Sequence, residues 1–172
     1  MKKLLESIHQ NAIKLDAPVF EVEKKTANDP FKILVFTMLS ARSRDSTTLK
    51  IVEKLFSMFK TPSEIAKMET KELESIIYGV GFYKTKAKNL INLSKILSKR
   101  PFPNNLEKML ELPGVGRKTA NIVLARVFGI NTIGVDVHVH RISNRLGLVK
   151  TKKPIETEKE LIKIIDHKYL KN

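Results

Sequence analysis

Two glycines around one small apolar residue, Gly114-Val115-Gly116, stand directly before a predicted helix that begins with Arg117 and Lys118. A Gly-x-Gly turn allows a tight reversal between helices and leaves backbone N–H groups bare at the start of the second helix. Bare amides at the positive end of a helix form an anion site that a phosphate diester can approach. A plain turn that needs glycine for steric reasons is the competing interpretation, and the surrounding positive charge favours phosphate binding.

Lys118 is unusual because the helix dipole disfavours cations in a first turn, yet Arg117 lies there as well. The dipole and a neighbouring cation both favour a neutral amine, and a neutral amine is a nucleophile toward carbon. In the competing interpretation both side chains simply contact phosphate. The pattern alone does not separate these roles.

Asp136 is the only acid between Glu111 and Glu156. Its position before an apolar-periodic segment predicts a helix N-cap. A lone carboxylate in the most basic part of the chain is alternatively the partner of a reacting cationic centre. The nearby His138 and His140 are two residues apart, which directs them to different faces of a helix. They are therefore a poor metal pair, and one of them is expected to be packed or hydrogen-bonded.

The charge of the chain is high and uneven. Its 172 residues include 32 Lys and Arg against 18 Asp and Glu, a net charge of +14. Residues 84–153 alone carry a net charge of +12. Net charge by itself fits a solubilising lysine-rich surface equally well, but its concentration in one stretch favours a polyanionic partner, most often nucleic acid.

The sequence contains no cysteine, which excludes disulfide scaffolds, thiol nucleophiles and cysteine-bound zinc or iron–sulfur sites. No apolar run approaches the ~20 residues that a membrane span needs. Glu6 and His9 interrupt the basic N-terminus before a signal-type apolar segment forms. We therefore expect an intracellular, cytoplasmic protein.

Apolar residues recur at steps of three and four almost throughout the chain, which predicts an all-α fold of many short helices. Capping signals set the expected boundaries. Helix starts are predicted with Asp45 as N-cap, at Thr61 with Pro62, and at Thr70, and helix ends at Gly129 and Gly147. Residues 131–135 are the only short extended candidate and are better interpreted as a loop.

The Gly-x-Gly turn has one internal echo. Residues 78–81, Tyr-Gly-Val-Gly, precede a predicted helix with lysine in its first turn, as residues 113–116, Pro-Gly-Val-Gly, also do. Two copies are too few for a repeat protein. They indicate instead that the same turn-and-helix motif occurs twice in the chain.

Two segments together carry a family resemblance: Leu112 to Asn121, LPGVGRKTAN, and Val135 to Arg141, VDVHVHR. They resemble the endonuclease III family of the helix-hairpin-helix (HhH-GPD) DNA glycosylase superfamily. The likeness also takes in Leu39-Ser40-Ala41 with Asp45 and Gly81-Phe82-Tyr83 with Lys86-Ala87, so it covers about 30–172. It implies a two-lobed helical fold. Residues 30–135 would form a six-helix barrel lobe with the hairpin motif at about 106–129. Residues 1–29 and 136–172 would together form an N/C-terminal lobe that is incomplete at its C-terminal end.

The resemblance implies a base excision repair enzyme, a bifunctional DNA N-glycosylase and AP lyase that removes oxidised pyrimidines from duplex DNA. The damaged nucleotide would be flipped into the cleft between the lobes. Lys118 matches the catalytic lysine of the family, which forms a Schiff base, and Asp136 its catalytic aspartate. The hairpin would hold phosphate, with a monovalent cation on nearby carbonyls when DNA is bound. The expected DNA contacts are Arg42, Tyr83, Lys84, Lys86, Leu112, Gly114, Val115, Gly116 and Arg117.

The chain also departs from the family pattern. Family members typically continue with a further helix and four cysteines that bind an iron–sulfur cluster, so we expect no cluster here and a missing segment or a second chain that completes the fold. Arg42 stands where many relatives carry a glutamine that fills the gap left by the flipped base. Val137 stands where relatives usually have threonine. The alternatives are a thymine or uracil mismatch glycosylase and a non-catalytic DNA-binding remnant of the family.

Overall fold

A computed structural model describes residues 2–14, 26 and 29–166 of the chain. Within these ranges the backbone is helical and contains no strand, which confirms the predicted all-α class. The described residues form ten helices with defined bounds: α1 (Lys2–Lys14), α2 (Pro30–Ser40), α3 (Asp45–Met58), α4 (Pro62–Ile65), α5 (Thr70–Ile76), α6 (Tyr83–Leu97), α7 (Leu106–Leu110), α8 (Arg117–Phe128), α9 (Val137–Arg145) and α10 (Pro154–Ile164). None of these described helices is both long enough and apolar enough to cross a membrane.

The helices group into two compact units, Met1–Phe102 and Pro103–Asn172. The first unit contains α1 to α6 and the second contains α7 to α10. The lobes expected from the resemblance, 30–135 and 1–29 plus 136–172, divide the chain at other positions and stay a prediction.

In the first unit, α6 is the central helix and packs against α2, α4 and α5. The side chain of Asp29 caps the start of α2 by accepting hydrogen bonds from the amides of Phe31 and Lys32. The largest fully buried side chains of this unit are aliphatic residues of these helices, of α3 and of the C-cap of α5: Leu34, Leu39, Leu55, Ile65, Leu73, Ile77, Leu90 and Leu93. Their burial fixes the C-terminal end of α2 next to the first turn of α6.

In the second unit, α7 and α8 pack together as the two helices of a hairpin, and α9 packs on α10. A small core of Val135, Val149 and Leu161 lies beneath the start of α9. This core anchors the residue that precedes Asp136, so the entry of the chain into α9 is fixed by packing.

Most of the predicted boundaries are confirmed. Thr61 forms a capping box with Glu64 at the start of α4, α5 begins at Thr70, and Gly129 ends α8. Residues 131–135 are a loop. The assignment of Asp45 as N-cap is wrong by one residue, because Arg44 holds that position and Asp45 is the first residue of α3. Its carboxylate still lies in the first turn, where the helix dipole favours it.

Candidate active site and DNA-contact residues

Lys118 and Asp136 form an ion pair at the start of α8. The Nζ atom of Lys118 donates a hydrogen bond of 2.8 Å to Oδ2 of Asp136. The other carboxylate oxygen, Oδ1, accepts from the backbone amides of His138 and Val139 and so caps α9. The cap interpretation of Asp136 is therefore confirmed, since Oδ1 caps α9. Its other oxygen contacts the Lys118 cation, and a role of this pair in a reaction stays a prediction.

The Asp136 carboxyl is held in its charged form. Burial acts to raise its pKa, but the hydrogen bonds from Lys118 and from the amides of Val139 and His138 outweigh it, so the pKa lies below its ordinary value. The pair also stays accessible, because the side chain of Lys118 is 49% exposed and that of Asp136 is 30% exposed. A substrate can therefore reach an amine whose orientation is fixed by a carboxylate.

The loop between α8 and α9 brings these two residues together across 18 positions of sequence. The buried side chain of Asn121 donates a hydrogen bond of 3.1 Å to the carbonyl of Ile133 and ties the loop to α8. At Gly134 the loop lies so close that a Cβ would be 2.5 Å from Cγ1 of Ile122 and 3.1 Å from the carbonyl oxygen of Lys118. Sequence reasoning gave neither Asn121 nor Gly134 a role, although a glycine before the aspartate was a usable signal of close approach.

The hairpin before α8 is open on its outer side. Gly114 has φ +78°, a conformation that favours glycine, and the Val115 amide donates to the carbonyl of Leu112 to close the turn. A Cβ added at Gly116 would meet nothing within 4 Å. The side chains of Leu112 and Val115 are buried, so any contact these two residues make with DNA would come from their backbone groups.

Arg117 is held by a residue that sequence reasoning missed. Its Nε and Nη2 atoms each donate a 2.8 Å hydrogen bond to the carboxylate of Glu158, which is 5% exposed. The hydrogen bond to Glu158 raises the pKa of Arg117 above its ordinary value. Glu158 therefore offsets the positive charge of Arg117, which the sequence places beside Lys118. No local pattern links these two residues, which lie 41 positions apart.

The earlier Gly-x-Gly turn, in the first unit, is closed by its own chain. The Gly81 amide donates a 2.9 Å hydrogen bond to Oγ of Ser43. A Cβ at Gly81 would lie 2.5 Å from the carbonyl oxygen of Arg42. The two turns are thus similar in sequence but differ in use: one leaves its second glycine open, and the other packs it against a neighbouring loop.

The environment of Lys86 argues against the expected contact with DNA phosphate. This side chain is buried, and its ammonium donates hydrogen bonds to the carbonyls of Leu39 and Ala41 and to Oγ of Ser43. Burial lowers the pKa of Lys86. Helical periodicity places Lys86 on α6 but does not show that the 41–43 turn covers it.

Arg42 and Phe82 lie next to each other at the surface of the first unit. The Arg42 guanidinium carbon is 5.6 Å from the centroid of the Phe82 ring. The Phe82 side chain is 64% exposed. Sequence reasoning selected Arg42 but not Phe82. The predicted contacts Tyr83 and Lys84 begin α6 directly after it, with Tyr83 packed edge-on against Tyr78, and their role toward DNA stays a prediction.

The two histidines of α9 take different environments, as their spacing predicted. His140 is hydrogen-bonded through Nδ1 to the buried hydroxyl of Thr157 at 2.6 Å, whereas His138 is exposed beside Arg141. Among the described residues, no group of three or more His, Cys, Asp or Glu side chains is placed to hold a metal ion.

Residues 35–167 match the family model described as HhH-GPD superfamily base excision DNA repair protein. A curated relative named endonuclease III, from Thermotoga maritima, is 49% identical over 140 residues, which are 80% of this chain and 66% of the relative. Endonuclease III of Rickettsia prowazekii is 40% identical over 173 residues, 99% of this chain and 79% of the relative. The chain therefore spans about two thirds of the first relative's length and about four fifths of the second's.

Solved structures give the same result. The chain is similar to endonuclease III in a non-covalent complex with DNA, with a TM-score of 0.77 and 34% identity over 95% of this chain and 80% of that one. A trapped covalent intermediate of endonuclease III with DNA also matches at a TM-score of 0.77, with 33% identity. With a family model that covers 35–167 and relatives this similar in sequence and fold, the chain belongs to the HhH-GPD superfamily of base excision DNA repair proteins.

Proposed function

We propose that this protein is a base excision repair enzyme of endonuclease III type, a bifunctional DNA N-glycosylase and AP lyase that removes oxidised pyrimidines from duplex DNA. The observation that carries the proposal is the 2.8 Å contact between Nζ of Lys118 and Oδ2 of Asp136. An amine at this position separates a bifunctional enzyme from a monofunctional glycosylase, because only an amine can form a Schiff base with the sugar. The proposed location is the cytoplasm, at the nucleoid.

The first chemical step replaces the damaged base by lysine. As the glycosidic bond lengthens, C1′ of the sugar becomes oxocarbenium-like, and the Asp136 carboxylate stabilises the developing positive charge. The hydrogen bond between the two side chains gives the Lys118 proton a path to Asp136. The amine electron pair then forms the bond to C1′, and the base leaves with the electron pair of the broken bond and takes up a proton.

The second step cuts the strand. The bound amine loses a proton, its electron pair forms the C1′=N bond of a Schiff base with Lys118, and the C1′–O4′ bond breaks with its electrons on O4′, which takes up a proton. Loss of a proton from C2′ sends an electron pair into a new C2′–C3′ double bond, and the C3′–O bond breaks with its electrons on the 3′ phosphate. Water then releases the sugar and regenerates the lysine. These steps consume neither an oxidant nor a reductant.

The hairpin supports the proposed DNA binding. The open approach at Gly116 and the positive end of α8 suit a phosphate diester of the backbone. A monovalent cation would fit on the hairpin carbonyls, because the Leu112 carbonyl accepts one hydrogen bond there and has a second lone pair. The residues of this sequence offer no thiolate ligand for an iron–sulfur cluster, and no step is assigned to one.

Borohydride trapping tests the proposal directly. The protein is mixed with a duplex that bears an abasic site or thymine glycol, the reductant is added, and covalent adducts are separated by gel electrophoresis. We expect an adduct with the native sequence and none with Lys118→Ala. Lys108→Ala is the matched control, because Lys108 is an exposed lysine of α7 in the same unit.

A native protein that binds the duplex without forming an adduct would contradict the lyase assignment. Base release from T·G or U·G mismatches in that case would identify a mismatch glycosylase. Binding without any turnover would identify a non-catalytic DNA-binding remnant.

A further inference from the structure

The turn of residues 41–43, which follows α2, is hydrogen-bonded to one buried ammonium group. Lys86 Nζ lies 2.8 Å from the carbonyl oxygen of Leu39 and 3.3 Å from Oγ of Ser43, and it also donates to the carbonyl of Ala41. A lysine ammonium has three N–H donors, and here three oxygens accept them. The last carbonyls at the C-terminal end of α2 are thereby satisfied by a cation, as the helix dipole favours.

A second element holds the same turn from the side. The Gly81 amide donates to Oγ of Ser43, the oxygen that also accepts from Lys86. Gly81 lies against the carbonyl of Arg42 so closely that no side chain would fit between them. The 41–43 turn is therefore fixed at each of its residues by contacts from the start of α6.

The residue held at the centre of this turn is in a strained conformation. Arg42 has φ +57° and Phe82 has φ +58°, and in the described part of the chain they are the two non-glycine residues with positive φ. Such conformations persist where the surrounding structure fixes them, and they cluster at functional sites. Both side chains are exposed and in contact with each other, so the contacts below present a rigid pair at the surface.

We propose that Lys86 is a positioning residue: its buried ammonium holds the 41–43 turn so that Arg42 projects beside Phe82 into the gap that a displaced or missing base leaves in duplex DNA. The proposal rests on the proposed function and on the expectation, from the family resemblance, that the residue at position 42 fills that gap. It assigns to Lys86 a role inside the protein, and it explains why a lysine is used at a site without phosphate. An apolar side chain of similar length would leave the carbonyls of Leu39 and Ala41 without the donor that Lys86 supplies, and Oγ of Ser43 with the Gly81 amide alone.

The test measures binding selectivity and does not depend on catalysis. The dissociation constant is determined by fluorescence anisotropy for an undamaged duplex and for the same duplex with a tetrahydrofuran abasic analogue, which cannot form a Schiff base. The ratio of the two constants is the selectivity. We expect Arg42→Ala and Lys86→Met to lower this ratio by a similar factor, about fivefold or more, the loss associated with one stacking contact to a base.

A double-mutant cycle separates positioning from general stability. If Lys86 acts through Arg42, the variant Arg42→Ala/Lys86→Met has the same selectivity as Arg42→Ala alone. Lys88→Met is the matched control, since Lys88 is an exposed lysine of the same helix, and it should keep the native ratio. The proposal is overturned if Lys86→Met keeps the native ratio, if the two losses multiply, or if Arg42→Ala itself changes nothing.

A milder variant covers the case in which Lys86→Met fails to fold. Ser43→Ala removes only the oxygen shared by Lys86 and Gly81, and we expect it to lower the selectivity by a smaller factor than Arg42→Ala. A native ratio in a folded Ser43→Ala protein would overturn the proposal. Failure of the proposed lyase would appear instead as absence of the borohydride adduct, so the two results are distinguishable.

Discussion

Arg117, the first residue of α8, and Glu158, on the buried face of α10, are joined by two parallel hydrogen bonds of 2.8 Å each. This fork geometry fixes the guanidinium plane and ties the residue next to Lys118 to the last described helix. The pair makes the hairpin end of α8 part of the packed second unit.

Replacement of Glu158 should destabilise the protein. Glu158→Gln removes the negative charge and leaves Arg117 with a weaker partner, while Arg117 keeps 36% of its side chain exposed to water. We expect the free energy of unfolding in urea to fall by ~1–2 kcal/mol, less than for a fully buried pair. Glu160→Gln is the control, because its pair with Lys163 is exposed, and a loss above ~0.5 kcal/mol there would contradict this distinction.

The salt dependence of DNA binding should distinguish the lysines and arginines expected to contact DNA. Lys84 is exposed, so Lys84→Ala should lower the slope of log Kd against log salt concentration by ~1, the value for one lost phosphate contact. Arg117→Ala and Lys86→Met should leave the slope nearly unchanged, because Glu158 offsets the charge of Arg117 and the ammonium of Lys86 is buried. A full unit lost in either variant would place that cation on the DNA backbone.

Substitution of Asp136 should stop catalysis without unfolding the protein. The side chain of Asn keeps an oxygen that can accept from the amides of His138 and Val139, so the cap of α9 survives in Asp136→Asn. The charge that stabilises the transition state is lost, and we expect the single-turnover rate of base release to fall by ~10²-fold or more. A melting temperature near the native value together with a native rate would show that Asp136 is only a cap.

The Asp136 pair should also contribute to stability in a pH-dependent way. A carboxyl with a lowered pKa in the folded state stabilises that state above its ordinary pKa, and the contribution is lost as the pH falls toward the lowered value. The difference in unfolding free energy between the native protein and Asp136→Asn should therefore be full at pH 7 and shrink below about pH 4. Urea unfolding of both proteins at several pH values measures it, and a constant difference would contradict the prediction.

The close approach at Gly134 should be essential for the site. Gly134→Ala places a methyl group 2.5 Å from Cγ1 of Ile122, so the loop must move away from α8 and carry Asp136 with it. We expect a loss of ~1–3 kcal/mol in the free energy of unfolding and weaker borohydride trapping. Ile122→Ala removes the clashing atom, and trapping in Gly134→Ala/Ile122→Ala should partly recover. No recovery would mean that the clash does not explain the defect.

The sequence by itself determined the helical class and the local features of the site. Apolar residues that recur at steps of three and four can be recognised without knowing which distant segments pack against them. The helices were therefore predictable. Caps such as Thr61 and the hairpin glycines act within a few residues of their own position. The motif around Lys118 and Asp136 also identified the family, because the residue types that the chemistry needs are grouped in two short segments.

Only the tertiary structure decided which charged groups are available. Lys86 and Lys118 both follow a Gly-x-Gly turn within the first turn of a helix, yet one is buried beneath the 41–43 turn and the other is half exposed beside Asp136. Arg117 meets a partner 41 residues away. Burial and ion pairing depend on contacts between distant segments, and the local pattern of neither partner shows such contacts. The accessible lysine and the buried one therefore differ only after folding.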